Sequence, residues 1–328
     1  MSGMAGTRVL VTGAGGFVGS HLVERLVRDG AQVRGFFRYT STGTLGHLSD
    51  SPVCSDVEPF LGDVRDGPLV TRAVRDRDVV FHLAALIGIP YSYDAPASYV
   101  ATNIDGTLNI LNAARSIGAR VVHTSTSEVY GTAQRVPIDE SHPLNAQSPY
   151  AATKIGADML ALSFHRSFGD AVAVLRPFNV YGPRQSARAV IPTIVGQLLN
   201  GSEVRIGSLT PRRDLTFVTD TVEAFIRTAG TADAIGRVIN VGTGRSTSIA
   251  DLIAIVGKVV GRQPVIVGEP DRVRPATSEV EVLQADASLA AQLLGWRATV
   301  SLEDGLKDTA DWIADHIDEY GQASRYVR

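Results

Sequence analysis

Five residues in one stretch have the types and spacing to do chemistry: Thr126, Ser127 and Glu128 in TSTSEVYG, then Tyr150 and Lys154 in SPYAATK. A tyrosine and a lysine four residues apart fall on one face of a helix. There the ammonium would depress the phenol's pKa and stabilise the phenolate as a base. The hydroxyl pair and carboxylate upstream would add a hydrogen-bonding group and a second acid–base group. An ordinary helix surface also presents Tyr/Lys pairs at this spacing, so the meaning of this one depends on the elements that deliver it.

Those elements read as a parallel α/β sheet. Arg8–Thr12 (RVLVT) is a short β-branched run suited to a buried strand. It leads into Gly13-Ala14-Gly15-Gly16-Phe17-Val18-Gly19 and then SHLVERLVRDG, where Leu22, Val23, Leu26 and Val27 share one face and Gly30 ends the helix. Strand, glycine turn and helix in this order make a dinucleotide fingerprint, here spaced G-x-x-G-x-x-G. The glycines allow a tight turn and close backbone approach, with the helix N-terminus facing a pyrophosphate. The second strand ends at Phe37-Arg38-Tyr39, without the acidic residue that would bind a ribose 2′-hydroxyl. Arg38 stands where it would meet a 2′-phosphate, which leans the cofactor toward NADP; stacking on the adenine or facing solvent is the other reading. After the third strand, Asp63, beside Val64, would accept from an adenine amino group or serve as an ordinary turn residue. A fourth strand over 78–83 closes on Leu83-Ala84-Ala85, small enough to let a ribose and nicotinamide lie close. IGIPYSYDAP reads as a loop, and SYVATNIDGTLNILNAARSIGA as one long helix containing Asn103. A fifth strand, RVVHT, delivers Thr126, Ser127 and Glu128 to its carboxyl end, the edge where open parallel sheets bind ligands.

At 328 residues the chain has room for one large or two modest domains. The expected division is a nucleotide-binding part at 1–178 with 214–243 and a smaller cap at 179–213 with 244–328. The net charge of −3 offers no electrostatic reason for nucleic acid or an anionic membrane as partner, so bound phosphates must be held by local arginines and backbone N–H groups. A lone cysteine, Cys54, rules out an intrachain disulfide and a cysteine-based metal cluster and fits a reducing cytoplasm. There is no basic leader with a long apolar run behind it, and no apolar stretch reaches about 18 residues. The expectation is a cytoplasmic protein. The seven histidines lack metal-ligand spacing, so no metal is expected, and His82 reads as a packed, hydrogen-bonded residue.

TGAGGFVG, HLAA, STSEVYG, YAATK, RPFNVYGPR and RDLTFV-x-D together resemble the extended short-chain dehydrogenase/reductase family across essentially the whole chain. Within it the sequence is similar to nucleotide-sugar 4,6-dehydratases. HLAALIGIPYSYDAP and GPRQSARAVIPTI resemble the legionaminic-acid-type enzymes acting on nucleotide-activated N-acetylglucosamine; the T-S-E triplet and the Arg274-Pro275…Glu279-Val280 segment also resemble GDP-mannose 4,6-dehydratase. The resemblance implies a Rossmann-type doubly wound parallel sheet with a smaller α/β substrate domain and a tightly held NAD(P), touched also by Tyr150 and Lys154. It implies that Thr126 bonds the sugar O4, that Asn179 meets the diphosphate, that Arg213 and Arg274 pair with its phosphates, and that Arg184 and Tyr91 are further substrate contacts. Arginine suits that task because its fork matches phosphate oxygens. Asn103 would hold backbone or water near Lys154, or serve the helix alone. The resemblance also implies a homodimer, with helices 97–117 and 149–168 pairing into a four-helix bundle.

Glu128 separates the activities within such a family. An epimerase only oxidises C4 and reduces it from the other face. A 4,6-dehydratase must also remove the C5 proton, acidified by the C4 ketone, and expel the C6 hydroxyl, which calls for a carboxylate base and an acid. Glu128 supplies the base. Glucose-type dehydratases carry an aspartate acid just before this glutamate; here it is Ser127, so Glu128 would both take the C5 proton and return it to the C6 oxygen, with Ser127 relaying or orienting. The rivals are a UDP-glucuronic acid decarboxylase, whose relatives share STSEVYG but which needs an arginine for the C6 carboxylate, and a 4-epimerase. A catalytically silent nucleotide-binding protein on the same fold would have no need of Thr126, Glu128, Tyr150 and Lys154 together.

Overall fold

A computed structural model describes residues 4–273, 275 and 277–320. The central sheet is built from β1 (Arg8–Thr12), β2 (Gln32–Arg38), β3 (Val57–Gly62), β4 (Val79–His82), β5 (Arg120–Thr124), β6 (Val172–Pro177) and β7 (Val238–Val241). They lie in the order β3-β2-β1-β4-β5-β6-β7, all parallel. Alternate residues of each strand feed two cores. Val9, Val11 and Phe81 pack beneath α1 (Phe17–Arg28) and helix Val218–Gly230. Leu10, Val80 and Val121 face α2 (Gly67–Val74) and the helices that follow β4. Burial on both faces is why these strands are β-branched runs rather than alternating ones.

Strand order reverses between β1 and β4, opening the crevice in which doubly wound sheets bind ligands. Register makes that edge level: Thr12 lies beside His82, His82 beside His123, and Thr124 beside Leu175. The turns leaving β1, β4, β5 and β6 therefore rise from one line.

Between β4 and β5 the chain departs from expectation. IGIPYSYDAP is not a loop: α3 (Ile89–Asp94) and α4 (Pro96–Tyr99) each carry a proline, Pro90 and Pro96, in the first turn, where its fixed φ suits a helix start. Ser92 Oγ donates to the Ile89 carbonyl at 2.7 Å within α3. The long helix expected over 98–119 is also interrupted, because Val100–Asp105 form a π-helical turn before α5 (Gly106–Ile117). The wider turn accompanies Asn103, whose side chain reaches out of the helix to Leu86, and such turns recur at functional sites.

After β5, α6 (Pro149–Phe168) begins at Ser148, whose Oγ accepts from the Ala151 amide at 3.1 Å, and ends at Gly169 in the left-handed region. Beyond the central sheet the strands are short pieces: Asn179–Tyr181 pairs with Leu215–Phe217, Glu203–Ile206 with Val265–Gly268, and Arg212–Arg213 lies between Thr247–Ser248 and Val282–Leu283. Arg212–Arg213 and Leu215–Phe217 are separated by Asp214, whose buried carboxylate accepts from the amides of Thr243, Gly244 and Ala285 at 2.8–3.0 Å and from Thr243 Oγ1. Helix Leu302–Asp315 ends at His316, and the short helix Ile317–Tyr320 follows. Among the described residues no helix is long and apolar enough to cross a membrane.

Candidate active site

The glycine turn forms a cradle at the end of β1. Gly13 has φ +71°, and a Cβ at Gly15 or Gly19 would run into the carbonyls of Leu45 and Gly13. The backbone can be approached there only because those side chains are missing. Phe17 and Val18 open α1, whose N-terminus carries no side-chain cap, leaving its amides directed at the crevice. Thr12 stiffens the neighbouring turn: its Oγ1 accepts from the amides of Leu83 and Ala84, each at 3.1 Å, and bonds His82 Nδ1 at 2.8 Å. His82 Nε2 meets Thr107 Oγ1 at 3.1 Å, and burial drives the imidazole pKa far down, so His82 is a neutral strut. Ala85 follows half-buried on the same edge.

At the other end of the crevice Arg38 is exposed at the tip of β2. Asp63 is engaged by Arg65 through Nε at 2.9 Å, Nη2 at 2.6 Å and the backbone amide at 2.9 Å, and these bonds hold its carboxyl below the usual range. Val64 is buried against Gly106 and faces the second core.

The reactive stretch closes around Tyr150. Thr126 N-caps the short 3-10 turn Ser127–Tyr130; its Oγ1 accepts from the Glu128 amide at 3.3 Å, and its hydroxyl favours the ionised form of the Tyr150 phenol. One threonine hydroxyl thus acts on both the turn carrying Glu128 and the phenol of Tyr150. Glu128 is 9% exposed, and its charge acts on the Tyr150 phenol. Ser127 is buried beside it. Lys154 is 4% exposed and donates to the Thr124 carbonyl at 2.6 Å. Burial lowers its pKa from 10.5 to about 8, with Asp158 pulling the other way.

The phenol does not behave as its spacing from Lys154 suggests. Burial raises the Tyr150 pKa well above its ordinary value, opposed chiefly by Thr126, while Glu128 raises it further. Lys154 is turned toward a main-chain carbonyl, and a carboxylate stands closer to the phenol's chemistry than the i, i+4 pattern reveals. Tyr99 packs edge-on against Tyr150 with centroids 6.3 Å apart and anchors its own hydroxyl on the Gly88 carbonyl. Asn103 grips both sides of the pocket: Oδ1 accepts from the Leu86 amide at 2.9 Å, and Nδ2 donates to the Leu86 carbonyl and to Thr153 Oγ1, each at 3.0 Å. Its hydrogen bonds hold the Leu86 backbone and α6 at Thr153.

The expected substrate contacts divide. Tyr91 is half-exposed on α3, 6.1 Å from the Tyr99 ring. Asn179 leaves β6 at the same edge, and its buried Oδ1 has no hydrogen-bond partner among the described residues, as a side chain awaiting a polar ligand would. Arg213 is buried and donates to Glu279 Oε1 at 3.1 Å. Arg274 lies outside the described residues. Arg184 is a correction: it is a clamp between the cap and α1, bonding Glu24 Oε1 at 2.7 Å and Ser20 Oγ at 3.1 Å while its guanidinium stacks over Trp312. A half-buried cation already paired to a buried carboxylate is committed to holding the fold. Thr12, Tyr99 and Asp158 escaped the sequence reading, although Asp158, four residues past Lys154, shares its helix face. Among the described residues no cluster of His, Cys, Asp or Glu could hold a metal.

Known proteins carry the same framework. A UDP-glucose 4-epimerase of Mycolicibacterium smegmatis is 35% identical over 93% of this chain and 98% of its own length. A dTDP-glucose 4,6-dehydratase of Streptomyces antibioticus is 34% identical over 94% of this chain and 92% of its own. The solved structure of DesIV, a dTDP-glucose 4,6-dehydratase from Streptomyces venezuelae with NAD bound, superposes with a TM-score of 0.87 at 29% identity, covering 97% of this chain and all of the other. The family model described as GDP-mannose 4,6 dehydratase matches residues 10–309. With the doubly wound sheet, the glycine cradle and these relatives together, the chain belongs to that family of extended short-chain dehydrogenase/reductases, NAD-dependent enzymes that dehydrate or epimerise sugar nucleotides.

Proposed function

We propose that this member is a nucleotide-sugar 4,6-dehydratase, converting a nucleotide-linked hexose to its 4-keto-6-deoxy form. The observation that carries the reading is the buried carboxylate of Glu128, whose charge acts on the Tyr150 phenol while Thr126 holds its backbone amide. An epimerase has no step that uses a base beyond C4. The glycine cradle, the uncapped start of α1 and the small Ala84-Ala85 turn suit a bound NAD(P), which supplies the hydride acceptor at C4 and the hydride delivered to C6. Tyr150 takes the proton of the C4 hydroxyl, and Lys154 supplies the positive charge that a buried phenolate requires. Thr126 holds O4. Glu128 removes the C5 proton and passes a proton to the departing C6 oxygen with Ser127 beside it; water leaves, and C5 is reprotonated as C6 is reduced.

The substrate is a UDP- or GDP-linked N-acetylglucosamine, held at its diphosphate by Asn179, Arg213 and Arg274 and flanked by Tyr91. The unpartnered Asn179 Oδ1 supports the first of these contacts. The exposed Arg38 at the end of β2, with no acidic residue next to it in the chain, favours NADP. Val100 and Met159 are exposed on the segments expected to meet in a homodimer, at 44% and 41%. The test is incubation with UDP- and GDP-N-acetylglucosamine, GDP-mannose, dTDP-glucose and UDP-glucuronate, read by mass spectrometry. Loss of water with deuterium at C5 from deuterium oxide is expected. Unchanged mass with inverted C4, or loss of carbon dioxide, refutes the reading.

A further inference from the structure

Glu24, in the second turn of α1, is a buried carboxylate on which separate parts of the chain converge. Its Oε1 accepts from Arg184 Nη2 and from Ser51 Oγ, each at 2.7 Å, and Oε2 accepts from Arg28 at 3.2 Å. The Glu24 and Arg184 side chains are 7% and 12% exposed. Ser51 ends a segment that packs on the glycine turn. In it the His47 amide donates to the Gly15 carbonyl at 3.0 Å, and a Cβ at Gly46 would strike the Gly15 backbone. Leu48 anchors this segment in the core, and Ser51 ties its end to α1. Arg184 belongs to the turn that leaves the strand Asn179–Tyr181. It holds φ +70°, a left-handed conformation that a non-glycine residue keeps only where its surroundings fix it. Here Nη1 donates to Ser20 Oγ at 3.1 Å, His21 Nε2 donates to the Pro183 carbonyl at 3.0 Å, and the Tyr320 hydroxyl donates to the Gln185 carbonyl at 2.9 Å. Ser20, His21 and Glu24 follow closely on Gly19, so the turn is bolted to the first two turns of the helix that opens on the cradle.

We propose that Glu24 and Arg184 are positioning residues for the dinucleotide: their pair latches the 45–51 segment and the 181–185 turn onto α1 and sets how fast bound NAD(P) leaves. The proposal rests on NAD(P) binding at the glycine cradle and not on which sugar-nucleotide reaction the site performs. A reaction that takes a hydride and returns it restores the cofactor, so slow release costs it no turnover. Removing one partner of the pair strands a buried charge, whereas replacing both with apolar side chains of similar size removes the latch without doing so.

The full chain is loaded with NADH, and separately with NADPH, and chased with excess oxidised cofactor. Loss of the bound-nicotinamide fluorescence gives the release rate, read without sugar nucleotide, so the result stands whether or not the dehydratase reading does. E24M/R184M is expected to release cofactor about 10–100-fold faster than wild type, the worth of a charge-assisted hydrogen bond. The unloaded variant should melt within a few degrees of the unloaded wild type. R184K keeps the charge but gives up the two-pronged bond to Ser20 and Glu24; it serves if the double variant does not fold, and faster release is again expected. R25Q breaks the pair of Arg25 with Glu223, 2.9 Å apart, which joins α1 to helix Val218–Gly230, and should leave the rate in place. An unchanged rate in E24M/R184M overturns the proposal. So does a faster rate that R25Q matches, or one that comes only with a collapse in the melting temperature of the unloaded protein, since either shows that the pair holds the fold and nothing more. A wild type that binds neither NADH nor NADPH overturns it together with the reading of the cradle.

Discussion

Replacing Lys154 with methionine should stabilise the protein while abolishing turnover. Lys154 is 4% exposed, and its pKa of about 8 lies below the ordinary 10.5 because burial disfavours the ammonium. At about 1.4 kcal/mol per unit, the charged side chain costs the folded state about 3 kcal/mol at pH 7 relative to the unfolded chain. Methionine keeps the apolar stem and removes that cost, but it strands the Thr124 carbonyl, for about 1 kcal/mol. The net expectation is a gain of about 2 kcal/mol at neutral pH. The sign with pH follows from a folded pKa below the unfolded one: between pH 8 and 10.5 the unfolded wild-type chain binds more protons than the folded one, so wild-type stability rises through that window. The methionine variant lacks this gain, and its advantage should shrink by about 2 kcal/mol between pH 7 and pH 9.5. Urea unfolding of both proteins at the two pH values reads the difference. A variant less stable than wild type at pH 7, or an advantage indifferent to pH, would refute the account of Lys154 as a buried, costly charge.

Glu128→Gln keeps the shape of the side chain and removes the base. Dehydration should fall by about 10²–10⁴-fold while reduced nicotinamide still appears transiently; wild-type deuterium incorporation at C5 would remove Glu128 from the mechanism. Arg38→Ala should lower the preference for NADP over NAD by about 10–100-fold, the worth of a charge-assisted phosphate bond, and an unchanged ratio of KM values would show that Arg38 faces solvent. Asn103→Ala should cost about 2–3 kcal/mol of stability, because it leaves the amide and carbonyl of Leu86 without their side-chain partner; a loss below about 0.5 kcal/mol in thermal or urea unfolding would show that water replaces it freely.

What could be read from the chain, and what could not, follows the range of the forces involved. The β-branched runs, the glycine turn and the Tyr/Lys spacing are local patterns, and the strands of the sheet and the carboxyl edge they share follow from such patterns with the usual uncertainty at their ends. The cap was legible as pieces rather than as an arrangement. Local pattern fails where a partner comes from far along the chain. Arg184 follows a glycine-proline turn and is expected from the sequence to contact the substrate, but Glu24, 160 residues earlier, pairs with it. The π turn at 100–105 has helical composition, and only Asn103 reaching Leu86 across the fold betrays it.

Asp158 shows the same limit more sharply. Its place four residues past Lys154 puts it on the same helix face, but nothing nearby in sequence names its partners. Its environment is assembled from β5 through Ser125 and His123 and from β6 through Arg176. Burial then changes the sign of an inference that spacing alone supports. In water an ammonium one turn away lowers a phenol's pKa; inside this pocket desolvation raises the phenol and lowers the ammonium, driving both toward their neutral forms. Charge separation between Tyr150 and Lys154 therefore has to be imposed by their surroundings. Both are residues whose importance lies in what the fold brings to them.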